Sequence, residues 1–130
     1  MAQLNNKFQS PLGRARGLGA SHHGVGHWWL QKVTAISNIG LMGWLIVSFL
    51  TRSQWDYVGF TTWLSNPCSA TLMILAIISV YYHAALGTQV VVEDYVPTTW
   101  KRFASILALK FVFFALATVS IVSVLKIAFV

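Results

Sequence analysis

Acidic residues are nearly missing from this 130-residue chain: there are three, and none precedes Asp56. Cysteine is rarer still. Cys68 stands alone, which excludes an internal disulfide and any zinc or iron–sulfur site built from this chain's own thiolates. Charged residues make up only 9% of the chain and hydrophobic ones 56%, a balance far too apolar for an ordinary soluble fold of this size. The chain reads as an integral membrane protein of one domain. A secretory leader is missing too, since residues 1–26 hold Gly, Asn, Ser and basic side chains but no apolar core to serve as an h-region. The chain is therefore expected to start near Met1. The scarcity of acids in this stretch resembles an organellar transit peptide, but its glycines and Pro11 disfavour the continuous amphipathic helix such a peptide needs.

Three apolar runs are present, about Val33 to Leu50, Cys68 to Val92 and Phe103 to Ile127. Each approaches or exceeds the roughly 20 residues that cross a hydrocarbon core of about 30 Å. The expected fold is therefore an all-α membrane protein with three transmembrane helices, preceded by a polar, interfacial segment at residues 1–32. Trp55, Tyr57 and Trp63 in the first loop and Trp100 in the second have the placement of interfacial aromatics, and Pro67 stands just ahead of the second run. "EDYVPTTWKR" reads as a short polar turn joining the second and third runs.

The nine basic residues give a formal charge of +6, and most lie outside the apolar runs. That is membrane topology rather than nucleic-acid binding. Lys7, Arg14, Arg16 and Lys32 precede the first span, Lys101 and Arg102 occupy the second loop, and Arg52 is alone in the first. The positive-inside rule then puts the N-terminus and the second loop inside, on the cytoplasmic or matrix face, and the C-terminus outside. "SHHGVGHWW" and "EDYVP" share one face of the membrane on this reading.

His83 lies ten residues before Glu93, which at about 1.5 Å per residue sets it some 15 Å below the loop. Ionisable groups at such depth are rare, face the protein interior and are functional candidates. Ser79 and Gly87 stand four residues either side, making a helical face of small, His, small. Two readings fit: an axial ligand on a face that a flat group such as haem can approach, or a hydrogen-bonding residue on a small-residue packing face. No other span holds a histidine, and Met42 and Met73 are the only other sulfur side chains at depth. A bis-histidine haem therefore needs its second histidine from another chain.

Where the second run ends, the Tyr95 hydroxyl beside Asp94 can donate a hydrogen bond to a carbonyl of an amphipathic ligand such as a quinone headgroup. An aromatic-belt tyrosine before a solvated loop is the plainer alternative. Lys110, about eight residues into the third run, either snorkels toward the headgroups or pairs with an acid on a partner subunit.

"HAALGTQVVVEDYV", His83 to Val96, resembles the His-x3-Gly-x6-Asp-Tyr pattern of the hydrophobic membrane anchor of succinate dehydrogenase, respiratory complex II. "GHWWLQKVTA" looks like the opening of the same family, where a Gly-rich turn leads through His-Trp-Trp into Gln-Arg-x-Thr-Ala. The resemblance covers about Leu12 to Pro97. It implies a chain that does no covalent chemistry itself. With a sister cytochrome b-type anchor it would hold an iron–sulfur subunit and a flavoprotein subunit on a bacterial cytoplasmic or mitochondrial inner membrane, within one hetero-oligomeric helix bundle. Electrons from succinate would then pass through the flavin and iron–sulfur clusters of those partners to ubiquinone.

By position the resemblance makes His83 an axial ligand to the iron of a haem b shared with the sister chain, Tyr95 the quinone hydrogen-bond donor and Asp94 its support. Lys32 stands where the family commonly has arginine, and with His27 it would approach the haem propionates. Lysine keeps the charge there but loses the bidentate fork of guanidinium. His22, His23 and His27 have no cysteine or carboxylate nearby to complete a zinc set. Trp28 and Trp29 read as aromatic belt beside the quinone pocket, and His22 and His23 as solvated or set against the iron–sulfur subunit. The competing function classes are a small transporter or channel subunit, with His83 and Lys110 lining an ion path, and an assembly protein absent from the mature enzyme.

Overall fold

A computed structural model describes residues 10–15, 24–53 and 55–129. A short helix α1 (Pro11–Ala15) precedes α2 (Gly24–Leu50), α3 (Tyr57–Leu64), α4 (Pro67–Tyr95) and α5 (Thr99–Phe129). The long helices, α2, α4 and α5, have 27, 29 and 31 residues. Each is long and apolar enough to cross a bilayer. The helix is the natural state for these runs, because it satisfies every backbone N–H and C=O internally where no water can.

All three long helices extend beyond their apolar runs. Helix α2 starts at Gly24 rather than Val33, so "GVGHWWLQK" is helical and the expected Gly-Val-Gly turn is its first turn. Glycine there costs roughly 1 kcal/mol against alanine, a weak local preference that the long continuous span overrides. Helix α4 likewise carries Glu93, Asp94 and Tyr95, and the turn into α5 narrows to residues 96–98. Val96 is extended, as the residue before a proline tends to be, and its carbonyl accepts from Arg102 Nε at 3.0 Å.

The first loop contains α3, set by two caps. Asp56 accepts from Gly59 N at 2.8 Å, and Asn66 accepts from Cys68 N at 2.9 Å with Pro67 in the first turn of α4. Both are carboxylate or amide oxygens taking up orphan N–H groups at a helix start. Folding α3 back beneath the bundle buries Trp63, which is 3% exposed, together with Leu64 against Val124. Trp63 is thus a core residue and not an interfacial aromatic. Trp55 lies edge-on to it at 5.5 Å, and Tyr57, Trp28, Trp29 and Trp100 remain exposed.

Trp44, Leu45, Met73, Ile74, Ile77 and Ile127 pack around this cluster. All lie toward the end of the bundle that carries α3. The opposite end, with His27, Tyr95 and Trp100, has no comparable core among the described residues, and so the spans open there into a cleft.

Candidate functional site

Along α2, His27, Gln31, Thr34 and Asn38 recur at helical spacing and present one polar face in an otherwise apolar helix. Ser79, His83 and Gly87 do the same on α4. The two faces meet as antiparallel helices. Thr34 Oγ1 lies 2.9 Å from His83 Nδ1, and three residues back on α2 the Gln31 amide lies over Gly87, 3.6 Å from where a Cβ would stand. The same register sets Asn38, four residues on from Thr34, opposite Ser79, four residues back from His83.

This seam is buried and only partly satisfied. His27 Nε2, Gln31 Oε1, Asn38 Oδ1 and Ser79 Oγ are sealed from solvent without a hydrogen-bond partner among the described residues. His83 is different. Its Nδ1 is held by Thr34, while its Nε2 makes no hydrogen bond there and is not one of the sealed atoms. The small-His-small stripe is taken up by helix packing, with Ser79 buried and Gly87 under Gln31.

The other sequence candidates are spread apart. Tyr95, 81% exposed, ends α4 with Asp94 exposed beside it. From His83 to Tyr95 the helix rises about 18 Å and turns by about 120°, at roughly 1.5 Å and 100° per residue. They lie apart on the helix and on different faces of it. Lys32 places its Nζ over the Trp28 ring, 5.7 Å from the centroid. His27, rotated about 140° from Lys32 around the helix, instead lines a cleft of about 690 Å³ between α2, α4 and α5. The structure therefore does not bring Lys32 and His27 together. Lys110, Tyr81, Gln89 and Phe113 also line this cleft, whereas His83 and Tyr95 do not. Lys110 is exposed, and no carboxylate pairs with it among the described residues. His22 and His23 lie outside the described residues.

Thr34, Gln31 and Asn38 escaped the sequence reading. Their signal was present as polar residues recurring on one face of an apolar helix, but only the packing shows that His83 is what that face meets.

A family model described as "Succinate dehydrogenase/Fumarate reductase transmembrane subunit" matches residues 6–117. The chain belongs to this succinate dehydrogenase/fumarate reductase transmembrane-subunit family. Among relatives named succinate dehydrogenase hydrophobic membrane anchor subunit, the one from Rickettsia bellii is 35% identical over 104 residues, covering 79% of this chain and 82% of its own. The Rickettsia conorii protein is 33% identical over 90 residues, with 68% and 71% covered. That of Paracoccus denitrificans is 23% identical over 105 residues, 81% of each chain. Membership in the transmembrane-subunit family decides between the function classes: the chain is a multi-pass membrane anchor subunit of succinate dehydrogenase and works within that complex. The ion-path reading of His83 and Lys110 loses its ground.

Proposed function

We propose that this anchor, with a sister cytochrome b-type subunit, seats the iron–sulfur and flavoprotein subunits on the inner membrane and forms one wall of both a haem b site and a ubiquinone site. The observation that carries the haem part is the state of His83: one ring nitrogen held by Thr34, the other without a partner among the described residues. That donor set suits a single axial ligand. The described spans offer no second histidine at this depth, so the other ligand belongs to the sister chain. Bound there, the haem would supply a one-electron redox centre beside the path from the iron–sulfur clusters to quinone.

The chain's own contribution at the quinone is binding and orientation. Tyr95 stands exposed at the end of α4, where its hydroxyl donates a hydrogen bond to a quinone carbonyl as negative charge develops on that oxygen. Asp94, adjacent and exposed, orients basic groups of the neighbouring subunit. Near the start of α2, Lys32 is the group for a haem propionate, while His27, about 140° away around the helix, faces the cleft instead. The basic residues ahead of α2, with Lys101 and Arg102 in the first turn of α5, argue for both of these ends on the inside face.

Tagging the chain and purifying it gently tests this reading. A flavoprotein, an iron–sulfur protein and a second small anchor are expected in the preparation by mass spectrometry. An intact preparation with none of them refutes it.

A further inference from the structure

Thr34 has one hydroxyl proton and three groups within reach: Leu30 O at 2.8 Å, Gln31 O at 3.2 Å and His83 Nδ1 at 2.9 Å. Two of these are carbonyl oxygens, which can only accept. A threonine within a helix commonly gives its proton to the carbonyl one turn back. Were the proton turned to His83 instead, the hydroxyl and the Leu30 carbonyl would face each other with lone pairs at 2.8 Å. The proton therefore goes to Leu30, with Gln31 O a secondary partner. The hydroxyl keeps lone pairs for His83, and the 2.9 Å contact is a hydrogen bond only when Nδ1 is the protonated nitrogen.

We infer that Thr34 is a positioning residue that locks the neutral His83 ring as its Nδ1–H tautomer and leaves the Nε2 lone pair free for a haem iron. Thr34 is 9% exposed, so water does not compete for the contact. The bond crosses from α2 to α4 and sets the ring's rotation as well as its tautomer. Accepting a hydrogen bond from Nδ1–H also makes Nε2 a stronger donor to a bound metal, which favours the ferric state. Haem ligation is the reading above, on which the redox part of this inference rests. The tautomer is a property of the chain itself.

Two measurements separate these parts. In the assembled complex, Thr34→Val keeps the side-chain volume but removes the acceptor, and Thr34→Ser restores it. The Val variant is expected to raise the haem midpoint potential and weaken haem retention by about tenfold, while the Ser variant behaves as the parent. A Val variant with unchanged potential and full haem overturns the positioning role. In the haem-free full chain in bilayers, ¹⁵N-histidine NMR reads the tautomer directly, with the signal assigned by its loss in His83→Gln. A protonated Nδ1 and bare Nε2 are expected in the parent, becoming a mixture in Thr34→Val. Protonated Nε2 in the parent overturns the inference even where His83 ligates iron, and the parent spectrum decides this should the Val variant fail to assemble. An unchanged haem spectrum in His83→Gln complex overturns the ligation reading alone.

Discussion

Trp63 stacks on Trp44 with ring centroids 5.7 Å apart and planes 22° from parallel, tying α3 to the first long helix at the end of the bundle away from Tyr95. The pair is the centre of the chain's own core, since Phe49, Trp55 and Phe60 also ring Trp63. Lipid solvates apolar surface as well as a helix does, so what holds this end together is close packing rather than escape from water. Trp63→Ala should cost about 3 kcal/mol, the low end for loss of a buried large aromatic. Denaturation of the purified complex in detergent reads the loss. Trp100→Ala, at an exposed position, should leave the same curve in place.

Replacing His83 by alanine removes the nitrogen proposed to bind haem. The haem absorbance of the purified complex should be lost or altered, while the partner subunits still co-purify. A spectrum identical to that of the parent would show that another residue ligates the iron.

Tyr95→Phe leaves the aromatic body at the membrane face and deletes only the hydroxyl. A hydrogen bond worth about 1.4 kcal/mol in the transition state corresponds to a rate loss of about tenfold. Succinate-driven quinone reduction should fall by that order, and succinate oxidation by a soluble artificial acceptor should persist. Equal losses in both assays would locate the defect in assembly.

Gly87 offers a test of the seam. A Cβ at this position meets Gln31 Nε2 at 3.6 Å, an ordinary contact. Gly87→Ala should therefore be tolerated, with a change of at most about 1 kcal/mol in the stabilising direction that helix propensity gives, whereas Gly87→Leu should push Gln31 aside and weaken assembly. Thermal denaturation of the two variants compares them. An alanine variant that fails to assemble would mean that something bulkier than Gln31 covers this face.

Much of the fold was legible in the residues. Length and hydropathy are local properties of a segment, and a stretch of some 20 apolar residues has one stable way to cross a bilayer. The ends of the spans were less legible, because polar residues such as Lys32 or Glu93 interrupt the hydropathy signal without interrupting the helix. Trp63 shows the same limit from another direction. Its neighbours gave it the look of a headgroup anchor, and only the fold-back of α3 places it in the core.

The sequence by itself determined three spans, a histidine deep within the second of them, an Asp-Tyr pair at that helix's end, and membership of the anchor family through motifs that keep these residues at fixed separation. The tertiary structure alone decided that the small-residue face around His83 meets the polar face of α2, that Thr34 holds one of its nitrogens while the other has no partner among the described residues, and that Lys32 and His27 point to different surroundings. Those relationships depend on the rotational phase and axial register of one helix against another, which residues far apart in the chain fix jointly and no single segment encodes.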